Sequence, residues 1–155
     1  MKHSWVEVSL SRLQKNVAAI QKFVSSSTRI IAVVKANAYG HGVEPVSRSL
    51  LDCGIIDFAV ATLDEAVDLR RSVPEGKLLV LQGCLEGEEE AFREHNLTAA
   101  LHDLQRLPEN IKIEIKIDTG MSRLVSSWKE APIQIRELQA EVTGVYSHFA
   151  CSDDD

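Results

Sequence analysis

Ile111-Lys112-Ile113-Glu114-Ile115-Lys116-Ile117-Asp118 decides the fold, because isoleucine and charge alternate through it without a break. Side chains along a strand point to opposite faces in turn, so one face here is all isoleucine and the other all charge. On a half-exposed antiparallel sheet the charged face would simply meet water. In a parallel barrel the isoleucines pack on outer helices, and the charges line the lumen, where they are tolerated only if paired or near the mouth.

The flanking segments supply the context. Ser9 or Ser11 can cap a helix that carries Leu10, Leu13, Val17 and Ile20 on one face. The apolar run 30–34 reads as a buried strand, followed by a glycine-bracketed loop and a helix with Pro45 in its first turn presenting Val46 and Leu50. Phe58-Ala59-Val60 is a short strand. Thr62-Leu63-Asp64-Glu65 after it has the form of a capping box, in which Thr62 and Glu65 satisfy each other's amides. That helix ends near Pro74. Strand 78–81, an acidic helix from about Glu86 to His95, strand 97–101, a short helix 103–107, helix 132–140 and a last strand 142–149 complete the pattern. About six strands separated by helices argue for parallel β/α units, in a barrel or a doubly wound sheet. A closed (β/α)8 barrel needs eight strands and about 250 residues. The 155-residue chain is therefore expected to be a fragment of a longer protein or an open sheet.

Composition narrows the function classes. With 45% hydrophobic residues and 26% charged, the chain suits one soluble domain with a true core. A net charge of −6 gives no basic footprint for nucleic acid, and scattered Lys and Arg make no polybasic membrane patch. No signal peptide or membrane span is expected. Cys53, Cys84 and Cys151 are far apart and odd in number, which fits reduced thiols and a cytoplasmic location. No zinc-type His/Cys spacing, P-loop, G-x-S-x-G or G-x-G-x-x-G occurs, and no metal is expected.

Lys35 directly follows the strand 30–34, where barrel enzymes keep their chemistry. A lysine amine forms Schiff bases with carbonyls such as that of pyridoxal phosphate. The segment Ala32-Val33-Val34-Lys35-Ala36-Asn37-Ala38-Tyr39-Gly40-His41-Gly42 resembles the cofactor-lysine motif of alanine racemases. Two further stretches are similar to motifs of the same family, in the same order. Asp118-Thr119-Gly120-Met121-Ser122-Arg123 resembles its DTGM-x-R signature, and Ser147-His148-Phe149-Ala150 its T-H-F-A segment. The chain departs at Val125, where the family has glycine; a β-branched residue would strain a position that needs positive φ.

The resemblance covers essentially the whole chain and implies the following. The fold is a (β/α)8 TIM-type barrel, incomplete here, with residues 11–155 as its front part. Residues 1–10 hold a strand, Trp5–Val8, that pairs with a β-rich C-terminal domain absent from this chain. Lys35 holds pyridoxal phosphate and exchanges α-protons on one face of the substrate. Tyr39 bonds the cofactor phosphate, Leu81 walls the pocket, Arg123 steadies the cofactor's phenolic oxygen and the substrate carboxylate, and His148 sits beside the ring. Lys116 aligns with a lysine often carbamylated to orient that arginine. The activity implied is interconversion of L- and D-alanine for peptidoglycan by a homodimer. The second base, a tyrosine, belongs to the part not spanned, so the 155-residue chain alone is expected to be inactive. The rival readings are a racemase for another small amino acid such as serine, an amino-acid decarboxylase, or a non-catalytic pyridoxal-phosphate carrier.

Overall fold

The computed structural model describes residues 4–103, 107–123, 126–127 (backbone) and 141–152. Helix α1 (Leu10–Phe23) starts at Ser9, whose hydroxyl accepts from the Arg12 amide at 3.4 Å. Its Val17 is buried and Leu10 and Leu13 pack on the core, whereas Ile20 is 51% exposed and falls outside the packed face. Strand β1 (Ile31–Val33) leads into a short turn, α2 (Lys35–Tyr39), and then α3 (Val43–Asp52). The remaining elements are β2 (Asp57–Val60), α4 (Leu63–Arg70), β3 (Leu78–Val80), α5 (Glu89–Glu94), β4 (Thr98–Leu101), β5 (Lys112–Asp118), β6 (Ser126–Ser127) and β7 (Glu141–Tyr146). Residues 4–9 form neither helix nor strand, and Trp5 and Val6 are exposed. The expected helix 132–140 lies outside the described residues, as do Val125 and most of the expected helix 103–107.

All described strand pairs are parallel, in the order β1-β2-β3-β4-β5. Beyond β5, β7 pairs along residues 112–116 and the two-residue β6 pairs at Ile117 and Asp118. The sheet is open: among the described residues β1 pairs only with β2. The six expected strands are present in order, with β6 as an addition.

Period-two alternation sorts the strand residues onto two faces. Phe58, Val60, Leu78, Val80, Ile113 and Ile115 face the helices and form one core with Val46, Leu50, Ala66, Leu69 and Phe92. Phe58, Leu78, Ile113 and Ile115 are fully buried there, each contributing roughly 1.5–3 kcal/mol by leaving water. On the opposite face Ala59, Leu79 and Ala100 form a separate small cluster with Leu81 and Tyr146. Alanine at two of those positions keeps the concave side of the sheet open. The charged face of β5 turns to that side too: Glu114 is 5% and Lys116 8% exposed. The lumen receives Glu114 and Lys116, whereas Lys112 bonds Asn96 Oδ1 at 2.8 Å at an exposed site.

Candidate functional site

The concave face encloses a cavity of about 660 Å³. Lys35, Tyr39, Leu81, Lys116, Arg123 and His148 all line it. These are the six site residues expected from the sequence, contributed by the carboxyl ends of β1, β3, β5 and β7 and the segments that follow them. Ligands of parallel α/β sheets gather at that end.

Lys35 opens a turn that the sequence reading treats as a loop and that is in fact left-handed. Ala36, Asn37, Ala38 and Tyr39 have φ of 51°, 54°, 53° and 53°. Left-handed backbone costs non-glycine residues about 1–2 kcal/mol each, and such strain persists only where the surroundings over-determine it. Here the bonds are numerous. Gly40 N–H donates to Ala36 O at 3.0 Å, Gly42 N–H to Asn37 O at 3.0 Å and His41 N–H to Ala38 O at 3.0 Å. The Val43 amide donates to Asn37 Oδ1 at 2.7 Å, and Ala38 is buried. Tyr39, 58% exposed, is left at the rim.

The Arg123 segment is held by Asp118. Its Oδ1 accepts from the Gly120 amide at 3.0 Å and the Ser122 amide at 2.9 Å, and Oδ2 from the Ser122 hydroxyl at 3.1 Å. Lys116 Nζ donates to the Arg123 carbonyl at 2.7 Å. Burial, then the Arg123 guanidinium, push the Lys116 pKa down, against the pull of Asp118. Across the sheet Thr119 Oγ1 lies 2.6 Å from Ser147 Oγ, and Ser147 donates to Ile117 O at 2.9 Å. This side-chain bonding replaces the ladder beyond Tyr146, so β7 stops short of the expected Phe149 and His148 belongs to a loop.

The two backbone amides, then the Ser122 hydroxyl and Lys116, hold the Asp118 carboxyl below the usual aspartate range. A depressed folded pKa stabilises above the unfolded value and is lost as pH falls through the folded one. Loosening of this loop is therefore expected only below about pH 4. The Gly120 and Ser122 amide NMR signals should shift together in that range, and Asp118→Asn should remove the transition. Shifts centred above pH 4 would contradict the assignment.

Sequence reasoning set Glu114 in the lumen but missed its surroundings on the floor of the cavity, Lys77 and Tyr146. Glu114 forms an ion pair with Lys77, which enters from the start of β3. Tyr146 lies beside them, its hydroxyl buried without a described partner. Desolvation, then the Glu114 charge, raise its pKa to about 12. Gly144 makes room, since a Cβ there would stand 3.0 Å from Glu114 Oε1. Thr119 and Ser147, which tie the two loops, were missed as well. The signal available for Glu114 was its place in the alternating strand.

The lining thus carries three cations, Lys35, Lys116 and Arg123, against one carboxylate, Glu114, already paired with Lys77. Among the described residues no ion pair or hydrogen bond takes up the Lys35 amine. Such a lining suits a small anionic ligand that carries a carbonyl. Among the described residues no three metal-ligating side chains cluster, and no helix is long and apolar enough to cross a membrane.

Comparison with known proteins agrees with this geometry. Residues 8–155 match the family model described as alanine racemase, N-terminal domain. The chain is 34% identical to an alanine racemase of Chlorobaculum tepidum, covering 94% of this chain and 43% of that protein. It is 37% identical to one of Methanococcus maripaludis, covering 96% and 44%. Among solved structures, alanine racemase from Bacillus anthracis with bound L-Ala-P superposes with a TM-score of 0.87 at 33% identity, covering 99% of this chain and 44% of that one. Alanine racemase from E. faecalis superposes with a TM-score of 0.84 at 26% identity, covering 95% of this chain and 44% of that one. The chain spans less than half the length of these relatives. With a matching model over residues 8–155, relatives more than 30% identical and solved structures that superpose on its parallel β/α fold, the chain belongs to the alanine racemase N-terminal-domain family.

Proposed function

We propose that the chain is the pyridoxal-phosphate-binding part of a cytoplasmic, homodimeric racemase that interconverts L- and D-alanine for peptidoglycan. The observation that carries this reading is the cation-lined cavity with an uncommitted lysine amine at the mouth of a parallel sheet. Its volume, about 660 Å³, lies in the range typical of cofactor sites, and Lys35 and Arg123 in its lining suit a ligand with a carbonyl, a phenolic oxygen and a carboxylate. When bound, pyridoxal phosphate supplies an aldehyde for an amine and a ring that takes up the electron pair released with the α-proton.

The chain's residues have separate tasks in this reading. Lys35 Nζ would hold the cofactor through its aldehyde carbon, and its neutral amine would take or return the substrate α-proton on one face. Tyr39 would donate its hydroxyl to the phosphate, and Arg123 would bind the phenolic oxygen and steer the substrate carboxylate. Leu81 supplies an apolar wall, and His148 holds polar groups beside the ring. Burial and Arg123 lower the Lys116 pKa, and carbamylation of its amine would give a carboxylate that orients Arg123. Inverting a planar carbon needs a second proton donor on the opposite face, which we assign to sequence beyond the portion of its relatives that this chain spans. We assign pairing of Trp5–Val8 with a β-rich domain to the same region, and expect no turnover from the 155-residue chain alone.

The test is to add pyridoxal phosphate, reduce with borohydride and map the adduct by peptide mass spectrometry. One predominant adduct on Lys35 is expected. An adduct spread over the surface lysines of the folded chain, or none, would sink the reading for this chain.

A further inference from the structure

The geometry points to Glu65 as the positioning residue that aims Lys35, an inference that rests on the proposed role of Lys35. Glu65 stands in the first turn of α4, where the Thr62 hydroxyl accepts from its amide at 3.4 Å. A capping box would send its carboxylate back to the Thr62 amide. Instead Oε1 accepts from the Ala36 N–H at 2.8 Å and Oε2 from the Ala61 N–H at 2.7 Å. One carboxylate therefore bridges the residue after Lys35 to the residue after β2.

The consequence lies in the turn. Ala36 is the first of four consecutive left-handed residues, and the other hydrogen bonds of residues 36–39 run within residues 34–43. Among the described residues, Glu65 is the side chain from outside that stretch which bonds it. It anchors the point where the backbone leaves β1 and reverses hand, one peptide from the Lys35 Cα. A carboxylate suits the task because it only accepts, with two oxygens for two amide donors. A carboxamide would turn N–H groups toward one of those amides, and aspartate is one methylene too short.

The test reads amide exchange by NMR in the 155-residue chain without cofactor, and adduct mapping with pyridoxal phosphate and borohydride. In the wild-type chain the Ala36 and Ala61 amides should be protected. In Glu65→Gln, protection at Ala36 should fall about tenfold, while the core amides of β2 and β3 keep theirs. A merely structural role would lower protection throughout the sheet. The share of adduct on Lys35 relative to the other lysines should fall by a similar factor, and formate added to Glu65→Ala should restore part of it by refilling the carboxylate site. Wild-type Ala36 exchanging at the free-peptide rate would overturn the proposal, even where no variant folds. So would Glu65→Gln with unchanged Ala36 protection. A wild-type chain that takes no adduct on Lys35 would defeat the cofactor reading instead, and the exchange data would still decide the role of Glu65.

Discussion

Lys77→Met is expected to destabilise the chain by about 3 kcal/mol, near the lower end of the cost of breaking a buried ion pair. For a chain of this size that lowers the thermal midpoint by roughly 6–12 °C. Glu114 is 5% exposed, backed by Gly144 and flanked by the buried Tyr146 hydroxyl. Lys77 is itself fixed: its amide donates to Asp57 Oδ1 at 2.9 Å, and the other Asp57 oxygen pairs with Arg29. Methionine keeps the apolar stem and removes the ammonium, so a carboxylate is left in the lumen without its counter-charge. The attraction within the pair is not the whole cost; the larger part is the desolvation of what remains. The double variant Lys77→Met/Glu114→Met should therefore recover most of the loss. Urea unfolding of the four members of the cycle gives the coupling directly. A single-variant cost below about 1 kcal/mol would mean that the pair behaves as an exposed one.

Much of the architecture was legible because it rests on local pattern. The isoleucine alternation of β5 placed Ile113 and Ile115 against helices and Glu114 and Lys116 in the lumen, where they stand. Lys35 was legible from its place after an apolar strand. The hand of the turn behind it was not, since of Ala36, Asn37, Ala38 and Tyr39 only asparagine has a marked tolerance for positive φ. Tertiary bonds impose that conformation, and Glu65 shows why they could not be foreseen. Its spacing from Thr62 fits a local box, yet the amide it takes belongs to Ala36, 29 residues earlier. The lumen pair was hidden for the same reason, because Lys77 and Glu114 meet only once β3 and β5 share a sheet. Local periodicity fixes faces; polar partners far apart in sequence depend on the register between strands.

Arg70→Met is expected to cost about 3 kcal/mol at the end of the sheet away from the cavity, because one guanidinium there serves four carbonyls. Nε donates to His95 O at 2.9 Å, Nη1 to Val73 O and Gly76 O at 3.1 Å each, and Nη2 to Asn96 O at 2.9 Å. Two connections, α4 to β3 and α5 to β4, thus close on one side chain from the end of α4. Both are shaped for it. Gly76 has φ +87°, and a Cβ there would lie 2.0 Å from the Ile56 carbonyl oxygen, while Asn96 has φ +50°. Burial pushes the Arg70 pKa down, but guanidinium starts so high that the charge survives. Lysine presents three donors from a single point and cannot reach carbonyls spread across a planar fork, so Arg70→Lys should recover less than half of the loss. Thermal unfolding checks both variants, and adduct mapping adds a second reading. The share of pyridoxal phosphate trapped on Lys35 should stay at the wild-type level in Arg70→Met below its melting range, because the cavity is built from the opposite ends of the same strands. A midpoint fall of less than about 3 °C, against the roughly 6–12 °C that a loss of about 3 kcal/mol implies, would show that water replaces the guanidinium at these carbonyls and that the two loops hold their shape without it.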